Sequence, residues 1–212
     1  MATLLNRSKL GAIAVGMLVV AGCSQPAKPP QAPAPVATLP PQSTQPITAK
    51  TAFWPMFKYA IGWSGDVEVL KLAPKDVPGF KNDQGTAAMW EATFASPRKH
   101  QVRVYTYSIA AVPPDILKGI EAGFPEPWAG ETSDAMPIDL SGFNIDSDAA
   151  YKAAAAAATG WLAKNPGKAP TSLELGSTFA LHAPVWYVAW GDKRNGYVAL
   201  VNATTGELFQ KR

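Results

Sequence analysis

Cysteine and histidine are scarce in this chain: its 212 residues contain one cysteine and two histidines. A single thiol cannot form an internal disulfide, and neither Cys-x-x-Cys nor His-Glu-x-x-His is present to hold a metal ion. The Gly-x-Ser-x-Gly pattern of hydrolases, the Walker loop and the glycine pattern of dinucleotide-binding folds are missing as well. Because no nucleophile is placed with a base, the sequence predicts that the protein is not an enzyme and uses no metal or cofactor.

The few residues that could bind a metal ion have simpler interpretations. His100 lies in a predicted hairpin turn and His182 just before a predicted strand, and no third ligand is evident beside them. Asp146 and Asp148 could bind a cation or act as acid and base, but they stand where a helix is predicted to begin. Since a helix start favours negative side chains for its own sake, we expect these two residues to cap a helix.

Charge of one sign is not in excess in the part of the chain that is predicted to fold. From residue 47 onward the sequence has 16 lysines and arginines against 16 aspartates and glutamates. A surface without net positive charge is a poor partner for the phosphate backbone of nucleic acid. We therefore expect no nucleic-acid binding.

A long hydrophobic run is also missing, although a short one lies near the amino terminus. Arg7 and Lys9 precede the 13 largely apolar residues Leu10–Gly22, and the only cysteine, Cys23, follows directly. Spanning a bilayer takes about 20 apolar residues, so the alternative of a membrane-spanning helix with a buried cysteine fits poorly. Basic residues, a short apolar stretch and small residues before a cleavage site are typical of a secretory signal.

The four residues Val20-Ala21-Gly22-Cys23 resemble the lipobox of bacterial lipoproteins. This resemblance implies that residues 1–22 are removed as a signal peptide, and that Cys23 carries a diacyl group on its sulfur and usually an acyl chain on its amino group. Two or three acyl chains would anchor the protein almost permanently, because each buried methylene contributes about 0.8 kcal/mol. Ser24 resembles the residue found in outer-membrane lipoproteins of Gram-negative bacteria, so the expected location is the periplasmic face of the outer membrane.

The segment that follows, residues 23–46, is predicted to be a tether. Eight of the 23 residues from Ser24 to Pro46 are prolines, and the others are mostly Ala, Gln, Ser and Thr. Such a composition favours an extended linker of about 3.1 Å per residue, which would reach at most roughly 70 Å. The alternative is a proline-rich ligand for a partner domain.

The remaining residues contain one pattern twice, at an offset of 96 positions. Trp90 aligns with Trp186, and in both copies large apolar residues alternate with other residues on either side of a polar turn. Each copy is therefore predicted to be a β-hairpin, with turns at Ser96–His100 and Asp192–Gly196. The predicted buried faces comprise Trp90, Ala92, Phe94, Val102 and Val104 in the first copy, and Trp186, Val188, Trp190, Val198 and Leu200 in the second.

A helix upstream of each hairpin is predicted to cover its buried face. Asp146 or Ser147 can cap the second helix, and Asn165-Pro166-Gly167 ends it. The elements predicted outside the hairpins are a helix from Thr48 to about Ile61, a strand at Val67–Leu72, a helix at Tyr151–Leu162 and a strand at Ser172–Gly176. The helix positions predicted to face the sheet are Phe53, Phe57 and Ile61 in the first copy, and Tyr151, Ala155, Ala158 and Leu162 in the second.

The predicted fold class is therefore α+β, with a unit of one helix and three antiparallel strands repeated in tandem. The predicted divisions are a first repeat at 47–109, a connecting segment at 110–144 and a second repeat at 145–212. Within the connecting segment, Gly123–Trp128 is interpreted as a loop that displays two aromatic side chains. Because long ordered loops in compact domains are often functional, Phe124, Glu126 and Trp128 are the candidate partner-binding residues. The alternative for Trp128 is that it packs back across the sheet.

Four places in the second repeat resemble the PepSY domain, a small module of the bacterial envelope that also occurs in propeptides of some secreted metallopeptidases. They are Ile145–Ala150 at the helix start, Pro184–Trp190 at the middle strand, Gly196–Val201 at the last strand and Asn202–Leu208 at the terminal turn. The resemblance implies a module that holds or restrains another envelope protein, such as a peptidase. The family more often has Asp where this chain has Asn202.

The sequence thus favours a lipid-anchored, non-catalytic binding module of the cell envelope. Its expected partners are the membrane, through the lipid on Cys23, and another envelope protein whose identity the sequence does not name. The alternative function is a receptor for a small or cell-wall-derived ligand bound between the two repeats.

Overall fold

The computed structural model describes residues 45–132, 135–192 and 194–211, so the predicted lipidation site Cys23 lies outside the described residues. The α-helices are α1 (Ala49–Trp63), α2 (Ser147–Ala157) and α3 (Thr159–Lys164), and a short 3₁₀-helix, Leu140–Gly142, precedes α2. The strands are β1 (Glu68–Lys75), β2 (Met89–Ser96), β3 (Gln101–Ser108), β4 (Gly119–Ala122), β5 (Glu126–Pro127), β6 (Ser172–Ser177), β7 (Pro184–Trp190), β8 (Tyr197–Asn202) and β9 (Leu208–Lys211).

The nine strands of the described residues form one antiparallel sheet. Eight of them run in the spatial order β4-β3-β2-β1-β6-β7-β8-β9, and β5 pairs with β3. The unit of a helix followed by three antiparallel strands occurs twice, first as α1-β1-β2-β3 and then as α2-α3-β6-β7-β8. The predicted fold class, α+β with tandem helix-plus-sheet units, is therefore confirmed.

The two repeats share one sheet face and one hydrophobic core. Leu72 of β1 pairs with Ala92 on one side and with Leu175 of β6 on the other, and Leu175 pairs with Trp186. Since residues paired across strands lie on the same face, the inner face of the first hairpin continues into the second. Among the described residues, the buried residues of this core lie between Ala49 and Ala203, so a fragment of residues 45–212 includes all of them.

The register of the first hairpin corrects the predicted face of its return strand. Phe94 pairs with Arg103 and Ala92 with Tyr105, so the loop between Ser96 and Gln101 has four residues, one fewer than predicted. Because side chains alternate between the two faces of a sheet, a shift of one residue moves the whole return strand to the other face. The prediction that Val102 and Val104 share the face of Phe94 is therefore wrong, and they lie on the face away from the helices.

The second hairpin contains the same error for the same reason. Trp190 pairs with Tyr197 and Val188 with Ala199, so the loop between the strands has six residues, one more than predicted. Val198 and Leu200 consequently point away from the helices. The inner positions of the return strand are instead Tyr197, Ala199 and Val201, of which the last two are fully buried.

Both main helices begin at the predicted positions, after Thr48 and after Asp146, although the Thr48 side chain makes no capping hydrogen bond. Their buried faces are rotated from the predicted ones. Ile61 of α1 is 48% exposed, because it follows Phe53 by eight residues and an α-helix has then turned about 80° beyond whole turns. The buried α1 positions are Ala49, Ala52, Phe53, Met56 and Ala60. In α2 and just after it the buried alanines are Ala150, Ala154 and Ala158, whereas the predicted Tyr151, Ala155 and Leu162 are half-buried.

The turn after β8 forms as the sequence predicts. The Asn202 side-chain oxygen accepts hydrogen bonds from the backbone N–H of Thr204 at 2.7 Å and of Thr205 at 3.2 Å. Gly206 has a φ of +80°, a conformation that residues with a side chain rarely adopt. The Thr204 hydroxyl donates to the carbonyl oxygen of Gly142, which ties this turn to the end of the connecting segment.

Candidate functional site

The face of the sheet away from the helices is the candidate functional surface, and we call it the open face. The strand register assigns to it Lys71, Glu91, Thr93, Val104, Glu174, Tyr187 and Leu200. The Lys71 ammonium lies 2.5 Å from the Glu174 carboxylate, so an ion pair joins the two repeats across this face. Both side chains are partly exposed, which makes the pair a weak contributor to stability.

A groove of about 570 Å³ lies on the open face beside the junction of the repeats. Its floor and walls include Leu70, Val185, Tyr187 and Leu200, and residues 177–181 form one rim. The Tyr187 side chain is 40% exposed although it stands in the middle of a central strand. An exposed aromatic side chain in an apolar concavity is typical of a surface that another molecule covers.

The three predicted partner-binding residues lie along one edge of the sheet. Phe124 is 93% exposed and Glu126 is exposed as well, whereas Trp128 is half-buried. Glu126 pairs with Val102, which assigns its side chain to the open face, and the Trp128 N–H donates to the His100 carbonyl at 2.9 Å. The chain from β4 to β5 therefore covers the outer edge of β3, and it prevents another strand from pairing there.

One carboxyl group on the open face is in an unfavourable environment. Glu68 pairs with Ala95, and its Oε2 is buried without a hydrogen-bond partner among the described residues. Removal from water raises the pKa of Glu68, and the negative charges of Glu131 and Asp66 raise it further. Glu131 belongs to the connecting segment, so this segment carries negative charge to the open face.

The junction between the repeats is a narrow seam. The ladder between β1 and β6 comprises two pairs, Lys71 with Gly176 and Leu72 with Leu175. On one side of the ladder the connecting segment bridges the strands: Met136 N–H donates to the carbonyl of Ser177 at 3.1 Å, and Ile138 N–H donates to that of Val69 at 2.7 Å.

A cleft of about 670 Å³ lies on the other side of the ladder, and we call it the seam cleft. It is bounded by residues 73–76 of β1 and its extension, by residues 169–174 leading into β6, and by the loop at 80–86. Gly85, with a φ of +82°, fixes this loop against the backbone of Ser147, where any side chain would collide. Its volume is in the range of small-molecule and peptide sites.

The charged groups that line the seam cleft are already engaged. Lys75 pairs with Glu91 at 3.3 Å, and Lys81 pairs with Asp83 at 3.8 Å. The Asp76 carboxylate accepts a hydrogen bond from the side chain of Asn82 at 2.8 Å. The cleft therefore presents compensated charges rather than a field of one sign.

The predicted histidine positions hold, and the structure assigns these residues to turns. His100 and His182 are exposed and have positive φ angles of 51° and 47°. Within the described ranges, no three His, Cys, Asp or Glu side chains converge on a point that could hold a metal ion. Asp146 caps α2 as predicted, since its Oδ1 accepts from the Ser147 N–H at 2.7 Å.

Sequence reasoning missed the groove, and it gave only the general location of the seam cleft, between the two repeats. The groove forms because Tyr187 and Leu200 both lie on the open face. The predicted turn of the second hairpin was one residue too short, and this error placed Leu200 on the buried face. The seam cleft depends on where pairing between β1 and β6 stops, and these strands are about 100 residues apart in the chain. The alternation of Glu174 and Tyr187 with apolar neighbours was the one local signal of an open face.

Comparison with known proteins gives little further identification. No protein-family model and no curated protein matches the chain. A solved structure from Clostridium difficile 630, provisionally described as a lipoprotein, is 12% identical and has a TM-score of 0.47, covering 74% of this chain and 89% of that one. In the part of the chain that the structure describes, every helix is too short or too polar to cross a bilayer.

Proposed function

We propose that this protein is a lipid-anchored binding module of the bacterial cell envelope that has no catalytic activity and contacts or restrains another envelope protein. The observation that carries this proposal is the open face, which bears the groove at Tyr187 and which none of the helices in the described residues covers. A partner that covers this groove would remove an aromatic and several aliphatic side chains from water. A peptidase is the class of partner that the PepSY resemblance favours.

The amino-terminal sequence supports the envelope location. The lipobox-like residues 20–23 would place a lipid on Cys23, and Ser24 favours the periplasmic face of the outer membrane. A proline-rich tether that reaches at most roughly 70 Å then restricts the partner to molecules of the envelope.

Phe124, Glu126 and Trp128 are proposed to form the rim of the partner surface. Glu126 is assigned by its register to the same face as the groove, and Phe124 extends into solvent. A large aromatic side chain with this exposure gains most from burial when a partner docks.

Affinity capture with the full-length anchored protein in its own envelope tests this function. We expect wild type to retain one envelope protein after detergent extraction and Tyr187→Glu to lose it, because the substitution adds a charge to the groove. Tyr59→Glu is the matched control, since Tyr59 is an exposed tyrosine of α1, 61% accessible and on the helical side. Equal retention by wild type and Tyr187→Glu would remove the open face from the proposal.

A second candidate function is favoured by the seam cleft. Its position between the repeats and its volume of about 670 Å³ suit a receptor for a small or cell-wall-derived ligand. A soluble peptidoglycan fragment that raises the unfolding temperature of the isolated domain without any protein partner would support this candidate.

A further inference from the structure

The seam between β1 and β6 has two ends, and the described chain bridges only one of them. At the bridged end, Met136 and Ile138 hydrogen-bond to the carbonyl groups of Ser177 in β6 and Val69 in β1. This segment thus supplies hydrogen-bond donors to the carbonyl groups of both strands beyond the point where their two-pair ladder ends. The fold itself therefore contains an example of a peptide segment binding across this seam.

The other end of the seam presents two strand edges without a partner strand. Ala73–Lys75 pairs with β2 on one side, and Ser172–Glu174 pairs with β7 on one side. Their remaining sides look toward each other across the seam cleft, and no ladder pair joins them in the described ranges. The Lys75 carbonyl already accepts a hydrogen bond from the Asn82 side chain at 3.3 Å, so Lys75 offers its N–H to a ligand. An unpaired strand edge is a template for hydrogen bonding with another chain.

The chemistry of the cleft selects against a strongly charged ligand. Its ionic side chains are compensated, as in the pairs of Lys75 with Glu91 and of Lys81 with Asp83. Pro74, Phe80 and Leu173 add apolar surface to the lining. Backbone groups and apolar contacts are then the means of recognition that remain.

We propose that the seam cleft binds an extended, uncharged peptide segment of a partner protein, which hydrogen-bonds through its backbone to Ala73, Lys75 and Ser172–Glu174; Pro74 has no N–H and contributes apolar contact. This mode is strand addition, in which main-chain hydrogen bonds supply affinity and side chains have a smaller role. The proposal rests on the first proposed function, contact with another envelope protein, and adds a second contact site and the kind of segment that it binds. It does not need the lipid anchor or the groove on the open face.

The test uses ¹⁵N-labelled residues 45–212 and the capped pentapeptide acetyl-Thr-Val-Thr-Val-Thr-amide as the probe. Because backbone groups dominate recognition, this uncharged, strand-forming sequence is a fair representative of the class. We expect the amide resonances of Ala73, Lys75 and Ser172–Glu174 to shift on titration. The same peptide with its alternate backbone nitrogens methylated lacks donors, and it should bind at least about tenfold more weakly.

Ala169→Trp fills the cleft from an exposed position, and we expect it to weaken binding of the pentapeptide by at least about tenfold. Ala156→Trp, at an exposed position of α2, is the matched control and should bind like wild type. No shift at the cleft amides up to about 1 mM peptide, or equal binding of the methylated peptide, would overturn the proposal.

A disaccharide–tetrapeptide fragment of peptidoglycan separates this proposal from the receptor function, which is the alternative use of the same cleft. Shifts of the cleft amides with the fragment but not with the pentapeptide would overturn the peptide proposal and leave the receptor function intact. Shifts with neither probe would contradict both.

Discussion

Trp90 and Trp186 make the same hydrogen bond in the two repeats. Each indole N–H donates over 2.9 Å to a backbone carbonyl two residues before an α-helix, that of Ile47 for Trp90 and that of Ile145 for Trp186. Both side chains are fully buried in the central face of their hairpins. The middle strand of each repeat is thereby fastened to the start of the helix that covers it.

Removal of these two hydrogen bonds is expected to lower the free energy of unfolding by different amounts. The Ile47 carbonyl also accepts from the Ala87 N–H, whereas the Ile145 carbonyl has no second backbone donor among the residues described. Trp186→Phe should therefore lower the free energy of unfolding by about 1–3 kcal/mol more than Trp90→Phe, because it leaves a buried carbonyl unpaired. Denaturant unfolding of the isolated domain measures this difference.

Trp190→Phe is the control for loss of the indole ring. Trp190 is as deeply buried, but its Nε1 has no hydrogen-bond partner in the described part of the chain. It should be the least destabilising of the three substitutions. Equal effects of all three would show that the indole hydrogen bonds do not hold the helix starts.

Asp146 joins the starts of the two main helices. Its Oδ1 accepts from the Ser147 N–H at 2.7 Å and from the Lys50 N–H of α1 at 3.0 Å. Asp146→Ala removes the acceptor of two helix-terminal donors, so we expect a loss of about 1–3 kcal/mol in thermal or denaturant unfolding. Within the described ranges the Asp148 carboxylate accepts from the Ala149 N–H alone, so Asp148→Ala should cost a fraction of that. The reverse order would contradict the assignment.

The raised pKa of Glu68 on the open face predicts that the stability of the fold depends on pH. Because the folded pKa of Glu68 is raised, the folded state takes up this proton at a higher pH than the unfolded state. Glu68 therefore lowers stability at neutral pH, and this penalty disappears as the pH falls through the folded pKa toward the ordinary value of 4.5. Glu68→Gln should unfold at a higher temperature than wild type at pH 7, with the gap closing in acid.

Two variants in the connecting segment test whether the charge of Glu131 contributes to the raised pKa of Glu68. Glu131→Gln removes a like charge and should lower the pKa of Glu68, as measured by NMR titration of its carboxyl carbon. Glu126→Gln is the matched control, because Glu126 is not among the charges that raise this pKa. An unchanged pKa in Glu131→Gln would contradict the assignment of Glu131 as a charge close to Glu68.

The lipobox-like sequence makes a prediction about covalent structure and location. We expect mass spectrometry of the mature protein to find a lipidated Cys23 at its amino terminus, and Cys23→Ser to abolish membrane retention. In a Gram-negative host, Ser24→Asp should move the protein from the outer to the inner membrane, whereas Ser43→Asp in the tether should not. A mature chain that retains residues 1–22 would contradict the lipoprotein interpretation.

Local signals in the sequence predicted the main helix and the three strands of each repeat, but they missed β4, β5 and β9 and the division of the second helix at Ala158. Asp146 marks a helix start by its capping chemistry, and the alternation after Trp90 and Trp186 identifies two hairpins. The faces of the return strands were wrong because turn length is decided by one residue in a flexible polar stretch. A single error of this kind moves every side chain of a strand, including Leu200, to the opposite face.

The geometry of the candidate sites could not be predicted because it depends on contacts between residues that are far apart in the chain. The seam cleft exists because pairing between Leu72 and Leu175 does not continue along the strands, and no local pattern encodes a contact over that distance. The bridge from Asp146 to Lys50 is equally non-local, at a separation of 96 residues. Residues that act across the junction of repeats become visible only when both repeats are placed in one sheet.

Photo-crosslinking in living cells tests the central claim most directly. A photoreactive phenylalanine analogue replaces Tyr187 in the groove in one strain and Tyr59 on α1 in the matched strain, with the lipobox intact in both. We expect the analogue at Tyr187 to crosslink to one envelope protein and the analogue at Tyr59 to give no such crosslink. No crosslink from Tyr187, or the same products from both positions, would contradict a binding module that uses the open face.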